Sequence, residues 1–207
     1  IIGSRWRKTD AAGKINGEDY FGADYAPADC LWLKPIRSPY ARARFHIGTT
    51  DFLYQRFPGL VKILTAADVP GHNNFGIYPD LKDQPVLADA EVRFRGEAIL
   101  ALVADKKTLE RIAIDDLPIH WEPLPPVIGV AAALAENAAV IHVDKPDNIL
   151  IRGNVARGDV DALDNDELVS AQGNWETPFV EHAYIEPEAG FAPVSYTHLT
   201  LPTSFLV

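Results

Sequence analysis

An apolar run, Ala98–Val103 (AILALV) continued by Ala104, lies between Gly96 and Asp105. A run of that length without polar alternation reads as a strand covered on both faces. The chain must therefore provide a sheet around this strand and packed elements above and below it. The neighbouring text supplies them. Cys30–Arg37 and Ala41–Thr49 read as strands, the first with Pro35 suiting an edge or a strand end. Thr50 and Asp51 are placed to cap a short helix through Arg56, which Pro58-Gly59 stops before a third strand, Leu60–Leu64. Ala66–Pro85, with Pro70-Gly71, Asn73-Asn74 and Pro79-Asp80, is expected to be loop.

Glu91–Arg95 leads through Gly96 into the apolar run, and Gly96 is expected to make a tight reversal between two strands. Asp105 then caps a helix predicted over Lys106–Asp115, where Leu109, Ile112 and Ala113 fall at helical spacing, and Pro118–Glu122 returns as a strand. This second half repeats the first in outline. Pro123–Pro126, with three prolines in four residues, cannot continue regular structure and marks a domain edge near Val127. Beyond it, Val130–Glu136 reads as a short helix, Asn148–Val155 as a strand, Gly158–Leu163 as a small helix or turn and Glu167–Thr177 as a further strand. Ile1–Asp29 has no sustained period and is read as an extended arm. The fold class that follows is α/β in the α+β sense, a mixed sheet with packed helices followed by the start of a second α+β domain.

Composition limits the function. The 207 residues carry a formal net charge of -10, without any Lys/Arg-rich stretch, which argues against nucleic acid as a partner. The longest apolar stretches fall far short of the roughly 20 residues a membrane-spanning helix needs, and no apolar core follows the basic start as in a signal peptide. A cytoplasmic protein is the expectation. Cys30 is the single cysteine, so no internal disulfide forms, and it is expected in the core. No methionine occurs, even at position 1, so the start of translation is expected upstream.

Several phrases, in order, resemble one family. They are RWRKTDAAGKINGEDYFGAD (Arg5–Asp24), IRSPYARARF (Ile36–Phe45), FPGLVKILTAADVPGHNNFG (Phe57–Gly76), PVLADAEVRFRGEAILALVAD (Pro85–Asp105), HWEPLPPV (His120–Val127) and EHAYIEPEAG (Glu181–Gly190). Together they resemble the hammerhead domain of the molybdenum hydroxylases, the family of xanthine dehydrogenase and aldehyde oxidase, over nearly everything from Ile1 to about Val194. The resemblance implies an arm at 1–29, a hammerhead domain at 30–127 and the start of a molybdopterin-binding domain at 128–194. It also implies a full-length enzyme that hydroxylates an aldehyde or N-heterocycle with water-derived oxygen at molybdopterin-held molybdenum. Electrons would leave through iron–sulfur and flavin subunits or domains of an oligomeric complex. The Gly-rich cofactor loops and the glutamate base of the family come later in the subunit, so this chain is expected to be inactive and cofactor-free by itself. Residues 195–207 (SYTHLTLPTSFLV) carry no charge and resemble translated sequencing-adapter DNA, so they are expected to be a non-native tail. The alternative from another class is a free-standing, non-catalytic binding module built on the same fold. A small hydrolase using Glu186 or Glu188 with His182 lacks a nucleophile motif such as G-x-S-x-G.

The densest chemistry is Glu181, His182, Tyr184, Glu186 and Glu188. Strand alternation would put His182, Tyr184, Glu186 and Glu188 on one face. By the resemblance this segment leads toward the molybdenum site, where His182, Glu186 and Glu188 would support the cofactor from behind or wall its pocket. The plainer reading is a polar strand whose groups pair with later domains. No residue is assigned to catalysis, and none to a metal: His72, His120, His142 and His182 are scattered without an i, i+4 pair or a cysteine partner and read as structural. Arg93 and Arg95 share a strand face that reads as solvated or as an interface. Trp32, Trp121 and Trp175 read as core or interface anchors, and Trp6 as a pin for the arm.

Overall fold

The computed structural model describes residues 2–78, 80–158, 169, 171–178, 180–184, 189–192, 194–195 and 198–199. Its elements in chain order are α1 (Ala11–Asn16), β1 (Trp32–Arg37), β2 (Ala43–Ile47), α2 (Asp51–Arg56), β3 (Leu60–Leu64) and β4 (Glu91–Val92). They continue with β5 (Ala98–Ala104), α3 (Lys106–Arg111), β6 (Ile119–Pro123), α4 (Val130–Ala133), β7 (Val194–Ser195) and β8 (His198–Leu199). Two compact units result, Leu31–Val160 and a second that joins Ile1–Cys30 with Asp161–Val207.

In the first unit the apolar run becomes β5, the centre of a sheet ordered β1-β5-β3. Ile36 lies opposite Leu100, and Leu102 lies between Lys34 and Ile63, so these side chains share one face. α3 packs on β5 and β1. Ile99, Leu100 and Leu102 are almost wholly buried, as a strand covered on both faces requires. The second sheet is ordered β4-β2-β6, with Phe45 opposite Trp121. The expected α+β class is observed, but every described pairing is antiparallel, where a mixed sheet was expected. The reason lies in the connections. The short reversals and the helix α2 carry the chain from one sheet to the other, so no βαβ crossover returns a strand parallel to its neighbour.

Local chemistry sets the boundaries. At α3 the Asp105 carboxylate accepts the Thr108 backbone N–H at 2.9 Å and the Thr108 hydroxyl at 2.7 Å. The helix predicted to reach Asp115 stops at Arg111, with Ile112 extended and buried and a 3₁₀ turn at Ile114–Asp116. Lys34 Nζ donates to the Leu109 and Ile112 carbonyls, both at 2.9 Å, and so takes the oxygens that a longer helix would have used. At α2, Thr50 precedes the helix but its side chain makes no capping hydrogen bond. Gly96 has φ +96°, as the reversal into β5 requires.

The elements expected after Pro126 fare differently. Val130–Ala133 is helical, shorter than expected. Asn148–Val155 forms no strand: Asn148 takes φ 55°, its amide nitrogen donates to the Ala133 and Ala139 carbonyls, and its oxygen accepts the Ile141 N–H. A residue that turns the chain and uses its side chain in this way cannot open a ladder. The described residues within Glu167–Thr177 are likewise irregular, because strand propensity without a partner strand stabilises nothing. The small helix expected at Gly158–Leu163 lies outside the described residues after Gly158.

In the second unit the expected arm contains α1 and a 3₁₀ turn at Gly22–Asp24. Cys30, expected in the core, is half-buried and free. Tyr25 and Phe191 meet ring to ring at 5.5 Å. β7 and β8 form a two-stranded antiparallel pair, and of the tail 195–207 only 195, 198 and 199 are among the described residues.

Candidate functional site

The segment expected to approach a cofactor is not a strand over its described part. Ala183 has φ 54°, which breaks the alternation that was to align His182 with the carboxylates. The imidazole of His182 and the phenol of Tyr184 instead stack nearly parallel, centroids 5.6 Å apart, and both residues are exposed. Glu186 and Glu188 lie outside the described residues.

A cradle for molybdopterin would need a close-packed glycine loop or buried donors facing a cavity. Gly153, Gly158 and Gly190 have open space where a Cβ would stand, and Gly173 is approached only by the Trp175 ring. His182 and Tyr184 face solvent. The described residues therefore do not fit the cofactor.

The most connected charged groups are in the first unit. Arg42 Nε donates to Glu91 Oε1 at 2.9 Å and Arg42 Nη2 to the Val140 carbonyl at 3.3 Å. Arg93 Nε donates to the Ile141 carbonyl at 3.0 Å, and its Nη1 stands 3.8 Å from Glu97 Oε1. Glu97 is 3% exposed; its Oε2 accepts the Arg93 N–H at 2.5 Å while its Oε1 has no hydrogen-bond partner. Arg93 was read as a solvated or interface residue. It is half-buried, and together with Arg42 it holds the stretch around 140 against the edge of the second sheet, while Arg95 is exposed. Sequence pattern could not show this, because the partners are backbone carbonyls almost fifty and a hundred residues away.

Four carboxylates among the described residues have pKa values held below the ordinary range, Asp10 first by its hydrogen bond from Lys14 and the other three by local turns. For Asp105 the cause is first the Thr108 hydroxyl and then the Thr108 N–H. For Asp68 it is the Thr65 N–H and then its hydroxyl, and for Asp147 chiefly the Ile149 N–H. These groups close turns and caps. An open polar hollow of about 380 Å³ is lined by His72, Asp80, Lys82, Asp83, Asp144 and Lys145 among others. Among the described residues no three His, Cys, Asp or Glu side chains are grouped as a metal cage.

Of the tryptophans, Trp121 packs against Tyr40 at 5.3 Å and Phe45 at 5.6 Å, and Trp32 carries Lys106 Nζ over its ring at 5.2 Å. Trp6 and Trp175 are exposed. His72, His120, His142 and His182 join no metal cage among the described residues, but the sheet register puts His120 opposite His46, a pair that linear spacing does not reveal.

Against known proteins, residues 16–125 match the family model described as aldehyde oxidase and xanthine dehydrogenase, a/b hammerhead domain. The chain belongs to this family. It is 34% identical over 197 residues to the nicotinate dehydrogenase large molybdopterin subunit of Eubacterium barkeri, covering 95% of the chain and 44% of that protein. It is 30% identical over 195 residues to the xanthine dehydrogenase molybdenum-binding subunit of Escherichia coli O157:H7, covering 89% and 25%. Among solved structures, aldehyde oxidoreductase from Desulfovibrio gigas aligns with a TM-score of 0.60 at 29% identity, over 70% of this chain and 17% of that one. The chain thus spans less than half the length of these relatives. No described helix is long and apolar enough to cross a membrane.

Proposed function

We infer that this chain is part of the large, molybdopterin-binding subunit of a molybdenum hydroxylase, an oxidoreductase that hydroxylates an aldehyde or N-heterocycle with water-derived oxygen. The observation that carries the reading is the near-continuous likeness to molybdopterin and molybdenum-binding subunits, which extends past the family domain into the residues after 125. In the whole protein the cofactor supplies the two-electron chemistry. No catalytic role is proposed for the hammerhead residues 30–127. Iron–sulfur and flavin subunits are the proposed electron acceptors in a cytoplasmic complex. His182, Glu186 and Glu188 are proposed to line the approach to the cofactor, supported by their position in the likeness to the Eubacterium barkeri subunit and not by their geometry. The hammerhead domain in the family sense is proposed to span 30–127, with an arm before it and the molybdopterin-binding domain beginning at 128, supported by the end of the family match at residue 125; residues 128–160 nonetheless belong to the same compact unit as the hammerhead.

The test is to express the complete reading frame that contains this segment, with its neighbouring genes, in a host that makes molybdopterin. The preparation is then assayed with aldehydes, purines and nicotinate against an artificial electron acceptor. Stoichiometric molybdenum and turnover of one class support the reading; a folded, molybdenum-free product inert to all three defeats it.

A further inference from the structure

The antiparallel ladder between β2 and β6 places His46 directly opposite His120. Its hydrogen-bonding phase is set by the bonds on either side: Gly48 N–H donates to the Pro118 carbonyl at 2.7 Å, and Leu124 N–H to the Arg42 carbonyl at 3.0 Å. Bonded pairs alternate along an antiparallel ladder, so 42/124, 44/122, 46/120 and 48/118 belong to one set. His46 and His120 are therefore a hydrogen-bonded pair, with Cα atoms about 5.5 Å apart and Cβ atoms about 4.5–5.5 Å apart.

Both rings are on the open face of the sheet. Phe45 and Trp121, one residue away on each strand, pack against each other on the covered side, and alternation turns His46 and His120 outward, where both are exposed. His120 Nε2 stands 3.8 Å from the point where a Cβ on Gly48 would be, so its ring lies over β2 and not away from it. The next pair on this face, Arg44 and Glu122, is an exposed ion pair at 3.8 Å, so the cation of Arg44 is offset by the neighbouring carboxylate.

We propose that His46 and His120 chelate a divalent transition cation of the imidazole-preferring kind, copper(II), nickel(II) or zinc(II), on the open face of the β4-β2-β6 sheet. Two imidazoles at this spacing reach a common ion at the usual metal–nitrogen distance of about 2.0–2.1 Å, and water completes the coordination. Affinity follows copper above nickel and zinc, and oxygen-seeking magnesium is ignored. The site is independent of the molybdenum reading, since it uses neither a pterin nor the segment around His182.

The experiment titrates the full 207-residue chain with nickel(II) by calorimetry, beside H46Q, H120Q, the control H72Q, and magnesium in place of nickel. One-to-one binding by the wild type and by H72Q is expected, with each single variant weakened about a hundredfold, since a chelate is reduced to one ligand. Substoichiometric copper(II) should also broaden the His46 and His120 ring resonances of the wild-type chain first and together, a readout that does not depend on the folding of a variant. Wild-type binding weaker than millimolar, undiminished binding in either variant, or broadening that begins at another histidine overturns the proposal.

Discussion

Replacing Gly96 with valine isolates backbone strain from packing. Gly96 has φ +96°, yet a Cβ built on it meets no atom within 4 Å, so nothing but the dihedral resists a side chain there. The turn is pinned on several sides: Gly96 N–H donates to the Ser38 carbonyl at 2.9 Å, Ser38 N–H to the Glu97 carbonyl at 2.9 Å, and Arg37 Nη1 to the Gly96 carbonyl at 2.8 Å. The backbone cannot relax to negative φ without losing these bonds, so valine must adopt the strained geometry. The cost is about 1–3 kcal/mol, toward the upper end for a β-branched residue. With a urea slope of roughly 2 kcal/mol per molar, this lowers the unfolding midpoint by about 1 M. The assay is equilibrium urea unfolding followed by tryptophan fluorescence, with G96N as the companion because asparagine tolerates positive φ better. A midpoint for G96V within error of wild type, or one no lower than that of G96N, would refute the reasoning.

Glu97→Gln should cost about 1–3 kcal/mol, because the amide NH2 that replaces Oε1 is a buried donor without an acceptor, 3.8 Å from the Arg93 guanidinium, and the ion pair is lost; Glu97→Ala should cost clearly more, since it also orphans the Arg93 N–H. Paired thermal melts of the two variants decide this, and equal losses would show the reading to be wrong. The Asp105 carboxyl titrates below its ordinary 3.8, so its contribution is complete above that value and is lost as the pH falls through the lower folded value; D105N should flatten the acid limb of the stability–pH curve, and an unchanged limb would count against the cap. Metal analysis by mass spectrometry of the purified chain should find no stoichiometric molybdenum, because the described residues build no cradle; a one-to-one content would overturn that.

Composition, propensity and spacing were sufficient for the parts of this protein whose energetics are local. The apolar run Ala98–Val103 announced a strand buried on both faces, Asp105 announced a cap, and Gly96 announced a reversal, because each depends on a residue and its immediate neighbours. The phrases from Arg5 to Gly190 resembled the family in the sequence alone, and the family model matches residues 16–125. What depended on residues far apart was decided by tertiary structure alone. Lys34 ends a helix begun seventy residues later, Arg93 holds a carbonyl beyond the proline-rich edge, and Asn148 turns the chain where a strand was expected. His46 became the partner of His120 only when the ladder set its register. Hydrogen-bond and ligand geometry across a sheet is a property of pairs, and a linear pattern carries information about pairs only at helical or strand spacing.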